Sequence, residues 1–221
     1  MIQIDFVSDI SCPWCAVGLA GLQQALARVG DTVPVELRVR PFELNPQMGP
    51  EGQEVSEYLT QKYGSTAAQQ AEIRETIRQR GAAAGFTFQV KGRDRIWNTF
   101  DAHRLLHWAG LPETRPAGGQ VALKALLMQA YHGQGESPAD YDVLCRLAGE
   151  AGLDLVEARR VLQEGLYADE VRREERFFTE AGIHSVPAVI INQQYLVSGG
   201  QPAEAYESAL RQIAAELSKT A

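Results

Sequence analysis

The chain contains 221 residues, 45% of them hydrophobic and 22% charged, which supplies a sizeable core and excludes a disordered or fibrous polymer. Its net charge of −7 excludes the dense basic surface on which a phosphate backbone binds, so nucleic acid is not an expected partner. No apolar run approaches the ~20 residues of a membrane helix, and the opening "MIQIDFVSDI" has neither the basic nor the apolar region of a secretory leader, so a cytoplasmic protein without a membrane partner is expected.

Residues 2–7 alternate apolar and polar β-formers and read as a strand. Residues 13–29 follow as a helix, with Val17, Leu19, Leu22, Ala25, Leu26 and Val29 at helical spacing and Gly30 as the stop. Residues 33–42 alternate again, which predicts β-α-β, the opening of a parallel α/β unit. The stretch after it reads as almost entirely helical. Ser65 is the expected cap of a helix reaching Ala84, and Asn98 the expected cap of a helix over 99–109. Helices over 118–132, 139–151 and 155–164, the last capped by Asp154, bring Leu105, Leu106, Leu123, Leu126, Leu127, Leu144, Leu147 and Leu162 together as a core of their own. A charged helix over 169–181 follows, in which "VRREER" mixes both signs as a solvated face should. Residues 188–192 read as a buried strand, 195–199 as its antiparallel partner and 202–217 as a closing amphipathic helix with Pro202 near its start.

The chemistry concentrates in "SDISCPWCAVG", residues 8–18, which holds two of only three cysteines. Three cysteines make no disulfide framework, and in a reducing compartment a close pair is catalytic or metal-binding. At the start of a helix that follows a strand, unsatisfied N–H groups and the helix dipole favour a thiolate. One helical turn brings the second sulfur back to the first, where it resolves a mixed disulfide. Cys12 is therefore the expected exposed nucleophile and Cys15 the resolving cysteine, with Ser11 as helix cap and Pro13 presetting the first turn. A structural zinc site needs four ligands, and Cys145 and the four histidines do not supply a short-spaced pair beside this one, so no metal is expected.

The combination "DISCPWCAVG", "RPFELNP", "NTFDAHRLLHWA" and "GIHSVPAVIINQQYLVSGGQP" resembles the DsbA-family dithiol oxidoreductases of the FrnE type. The resemblance implies an α/β, thioredoxin-like fold with a large all-helical insertion: residues 1–44 and 168–221 forming a discontinuous thioredoxin-like domain, and 45–167 the insertion. It implies a cis Val186–Pro187 bond facing the dithiol, with Val186 and Pro187 docking an extended substrate. The implied activity is thiol–disulfide exchange on protein or small-molecule thiols and disulfides, without metal or organic cofactor and with glutathione as a conceivable co-substrate. Kappa-class glutathione transferases and 2-hydroxychromene-2-carboxylate isomerases share the layout. They typically carry serine in place of Cys12 and lack the second cysteine, so a glutathione-dependent isomerase or transferase is the alternative. In those relatives "VSGG" (197–200), with Ser198, holds the glutathione backbone.

Asn98 and His103 match the "NTxxAHR" segment that packs near the dithiol in the resembled family; a helix cap and a hydrogen-bonded histidine are the plainer readings. Pro13 and Trp14, between the cysteines, are expected at the substrate, Trp14 as an apolar platform. DsbA carries a histidine in that dipeptide, whereas Trp14 brings no charge and Asp9 opposes a thiolate, so a less oxidising couple than DsbA is expected. Asp5 is a candidate proton acceptor for Cys15, and Cys145 an inert buried thiol. A monomer and a homodimer are both compatible with the apolar faces of the inserted helices.

Overall fold

Seven residues of alternating character form the first strand, β1 (Ile2–Ser8), and the helix α1 (Pro13–Val29) returns the chain to a parallel second strand, β2 (Val35–Pro41). These come from a computed structural model that describes residues 1–90, 92–114 and 118–220. The strands β5 (Ala188–Ile191) and β6 (Tyr195–Ser198) complete a sheet of order β2-β1-β5-β6, in which β5 runs antiparallel to both β1 and β6. Ile2, Ile4 and Phe6 face one side of β1 and pack with Leu19, Leu22 and Ala25 of α1. The closing helix α9 (Ala203–Thr220) lies on the same side and adds Tyr206, Leu210 and Ile213. Gly21 makes this close approach possible, because a Cβ there would stand 2.6 Å from the Gln201 carbonyl oxygen.

The intervening helices are α2 (Val55–Tyr63), α3 (Ala67–Ala83), α4 (Phe100–Ala109), α5 (Gly119–Met128), α6 (Tyr141–Glu150), α7 (Leu155–Gln163) and α8 (Ala168–Glu180). Their leucines gather in a second cluster, which Ile10 and Val39 join from the sheet side. A third cluster joins Val7 of β1 to Phe178 of α8.

Several local expectations are corrected. Thr66, not Ser65, caps α3, because Gln69 three residues on completes a reciprocal capping box with it, while the Ser65 hydroxyl donates to the Leu59 carbonyl. The helical stretch also contains a short antiparallel strand pair, β3 (Gln53–Glu54) with β4 (Arg95–Ile96), which brackets α2 and α3. The helix expected over 118–132 ends at Met128 and continues as a π turn over Gln129–Gln134. The "VRREER" face is only partly solvated: Arg172 pairs with the buried Glu43 and with Glu175, and stacks 3.7 Å from the centre of the Phe100 ring. Glu174 turns inward to Arg40 and His107.

Candidate active site

Cys12 occupies the N-cap of α1 in an extended conformation (φ −88°, ψ 114°), followed by Pro13 in the first turn. The expected Ser11 cap is absent. Ser11 is drawn to Asp9 instead, whose carboxylate accepts its hydroxyl at 2.6 Å and its backbone N–H at 3.0 Å. The helix end therefore keeps its N–H groups for the cysteine sulfur rather than for a side-chain oxygen.

Cys12 and Cys15 are free thiols on one turn, with the Cys15 N–H donating to the Cys12 carbonyl at 3.1 Å. Cys15 is fully buried, and Cys12 is 5% exposed rather than the open nucleophile expected. The chain opposite explains that cover. The Val186–Pro187 peptide bond is cis, and the Cys12 thiol donates to the Val186 carbonyl at 3.5 Å. Pro187 is buried and Val186 half-buried. A Cβ on Gly18 would meet the Pro187 ring at 3.0 Å, so the proline loop rests directly on α1. Pro13 and Trp14 are half-buried at the edge of this arrangement, and Trp14 packs on the cluster that contains both cysteines.

The two thiols are driven apart electrostatically. A hydrogen bond from Cys15 holds the Cys12 thiol below its ordinary value, against burial and the nearby Asp9 charge, and Arg93 assists. Burial, then the hydrogen bond to Cys12 and the charge on Cys12, push the Cys15 thiol well above its ordinary value. One sulfur is set to ionise first, and the other to stay protonated behind it.

Asp9 anchors the surrounding shell. Besides Ser11 it accepts from the Leu44 N–H at 2.7 Å and the Thr99 hydroxyl at 2.8 Å, and the buried His103 Nε2 lies 3.6 Å away. Burial pushes its carboxyl up, but His103, Ser11 and the Leu44 N–H outweigh it and hold the group well below the usual carboxylate range. His103 thus stands one carboxylate behind the dithiol. Asn98 braces a loop: its amide donates to the Met48 carbonyl and its oxygen accepts the Phe100 N–H, both at 2.9 Å. Thr99 holds the α4 cap position with its hydroxyl given to Asp9.

Ser198 lies exposed at the end of β6, opposite Ala188, and its carbonyl accepts from Gln201. Asp5 is corrected as a partner of Cys15. Ile4 and Phe6 point to α1, so Asp5 points to the other face of the sheet and pairs with Arg40 at 2.6 Å. Cys145 is buried among Leu144 and Leu147, and burial raises its thiol.

Three polar residues near the dithiol were not singled out from the sequence: His132 and Lys124, which are buried, and the half-buried Arg93. Arg93 donates to His132 Nδ1 at 3.1 Å, which leaves the ring hydrogen on Nε2 to donate to the Ile10 carbonyl at 2.9 Å. Burial and then Arg93 keep His132 neutral, well below its ordinary value. Lys124 of α5 is fully buried, and its Nζ has no hydrogen-bond partner among the described residues. Its sequence signal was a lone cation inside the apolar run "VALKALLM". Among the described residues no group of three or more His, Cys, Asp and Glu side chains could hold a metal ion, and no helix is long and apolar enough to cross a membrane.

The family pattern described as DSBA-like thioredoxin domain matches residues 3–211. A probable DsbA oxidoreductase of Streptomyces coelicolor is 38% identical with a TM-score of 0.84, over 96% of this chain and 89% of that one. YwbO of Bacillus subtilis is 27% identical over 210 residues, 95% of this chain and 96% of its own. The fold alone is shared with the cytosolic disulfide reductase DsbM of Pseudomonas aeruginosa, solved with GSH (16% identity, TM-score 0.65, 95% of this chain and 98% of that one).

Proposed function

The chain belongs to the DSBA-like thioredoxin domain family, and from that premise we propose that it is a dithiol–disulfide oxidoreductase of the FrnE type acting on protein or small-molecule disulfides. The observation that carries this reading is the pairing of Cys12, held below its ordinary thiol value at the start of α1, with the Val186 carbonyl beside the cis Val186–Pro187 bond. Cys12 attacks a substrate disulfide and releases one half as thiolate. Cys15 then attacks Cys12 and releases the other half, closing the Cys12–Cys15 bond, so the dithiol loses the two electrons that the substrate gains. Val186 and Pro187 dock the extended substrate beside Cys12, while Pro13 and Trp14 border it. No metal or organic cofactor enters the reaction.

A cytoplasmic site of action, with glutathione as an electron-donating co-substrate, suits this chemistry and agrees with the description of DsbM as a cytosolic reductase. His103, buried 3.6 Å from Asp9, acts on the dithiol through that carboxylate.

The test is trapping. Cys15→Ser incubated with an oxidised peptide accumulates a mixed disulfide at Cys12, read by intact mass, whereas Cys12→Ser traps nothing. Turnover of a glutathione conjugate that survives Cys15→Ser, with no trapped species, supports the glutathione-dependent isomerase alternative instead.

A further inference from the structure

Closing the Cys12–Cys15 bond requires the Cys15 proton to leave, yet Cys15 is fully buried and held well above its ordinary thiol value. Solvent does not reach it, and Asp5, the acid on the adjacent strand, faces away toward Arg40. The buried carboxylate nearest in sequence, Asp9, is fully occupied by donors and held ionised. A carboxylate that stays ionised far below neutral pH is a poor proton acceptor.

The helical insertion supplies another group. Ala125 and Met128 of α5 pack into the cluster that contains Cys12 and Cys15, and Lys124, one turn before Met128, lies on the same helix face as Met128. Lys124 is fully buried, and its Nζ makes no hydrogen bond among the described residues, although an ammonium carries three donors. Its electrostatic surroundings are Cys15 and Cys12 from α1 and Asp9 from the turn after β1, with His132 on the π turn. His103 reaches the same Asp9 carboxylate from α4. From α6 and β2 the neighbours in the adjoining cluster are apolar: Leu144, Leu147 and Val39.

We propose that Lys124 is the proton-transfer partner of Cys15. This rests on the thiol–disulfide reading. Neutral Lys124 takes the proton from Cys15 Sγ. The Cys15 thiolate attacks Cys12 Sγ in the mixed disulfide, the Cys12–substrate bond breaks, and the substrate leaves as thiolate. In the reverse direction the ammonium returns the proton to Cys15 as it leaves Cys12. Burial lowers Lys124 to about 8 against the pull of Cys15, Asp9 and Cys12, so both of its protonation states are accessible near neutral pH.

Equimolar 5,5′-dithiobis(2-nitrobenzoate) separates the steps. Attack by Cys12 releases one thionitrobenzoate, and closure by Cys15 releases the second. The wild type is expected to close with an inflection near pH 8. Lys124→Met is expected to close at least tenfold more slowly at pH 7, with the inflection moved upward and the first release much less affected. Lys124→Arg, a cation that does not give up its proton, is expected to resemble Lys124→Met. Closure by Lys124→Met with the wild-type pH profile, or its full rescue by Lys124→Arg, overturns the proposal. Absence of the second release from the wild type overturns the thiol–disulfide reading itself, and the proposal with it. The unmutated protein gives a check independent of variant folding. Among its four lysines, one ¹³Cε resonance should titrate near pH 8 with a midpoint that moves between the reduced and disulfide states. An unmoved midpoint contradicts the assignment.

Discussion

Replacing Asp9 by alanine removes an acceptor on which four donors converge. Its side chain is 1% exposed, and it takes the Ser11 and Leu44 N–H groups and the Ser11 and Thr99 hydroxyls. The hydroxyls can rotate toward other acceptors; the two amides cannot. Each stranded buried amide costs about 1–3 kcal/mol, which sums to about 3–4 kcal/mol after the relief of burying the carboxylate is set against it. For a chain of this size that lowers Tm by about 6–16 °C, at roughly 2–4 °C per kcal/mol. Asp9→Asn keeps one oxygen acceptor and should lose less than half as much. The pH dependence carries a sign. Because the folded-state value of Asp9 is depressed, its stabilisation is complete above its unfolded value near pH ~4 and is lost as pH falls below that toward the folded value. Asp9→Asn should therefore flatten the acid limb of stability. It should also lower the Cys12 thiol further, since the Asp9 charge opposes the thiolate. Calorimetric melting from pH 3 to pH 8 measures the first two effects. A Tm change under 3 °C for Asp9→Ala, with an unchanged acid limb, would refute the reasoning.

Gly21→Ala forces a methyl to 2.6 Å from the Gln201 carbonyl, and urea unfolding should show a loss of about 1–3 kcal/mol. Arg104→Met strips donors from the carbonyls of Val161, Leu162 and Leu166 and should cost about 3–5 kcal/mol, read in the same assay; a loss below 1 kcal/mol would contradict the bracing role. Iodoacetamide at neutral pH should label Cys12 first by peptide mass spectrometry, leaving Cys15 and Cys145, whose thiols are raised. Equal labelling of all three would show that the thiols are not differentiated.

The fold was legible where periodicity was strong. Alternation located β1 and β2, and the apolar spacing from Val17 to Val29 located α1 from Pro13 to Val29. The two-residue strands β3 and β4 carry no period to read, and α2 buries only Tyr58, so neither left a pattern. At the site, three-residue spacing and a strand–helix junction were enough to pair Cys12 with Cys15. What spacing could not convey was competition between partners. Ser11 looks like a cap until Asp9 is near enough to take its hydroxyl. Asp5 looks like a proton acceptor until the pleat of β1 turns it toward Arg40. Lys124 sits inside an apolar helical stripe, where its neighbours in sequence give no hint that a thiol from α1 faces the same interior.

The central claim is that Cys12 and Cys15 form one reversible two-electron couple. Equilibration of the purified protein in glutathione buffers, with the free thiols read by alkylation and mass, tests it most directly. The account predicts a single transition between roughly −120 and −270 mV, less oxidising than that of DsbA and absent from Cys12→Ser. No reversible transition, or one that persists without Cys12, would contradict it.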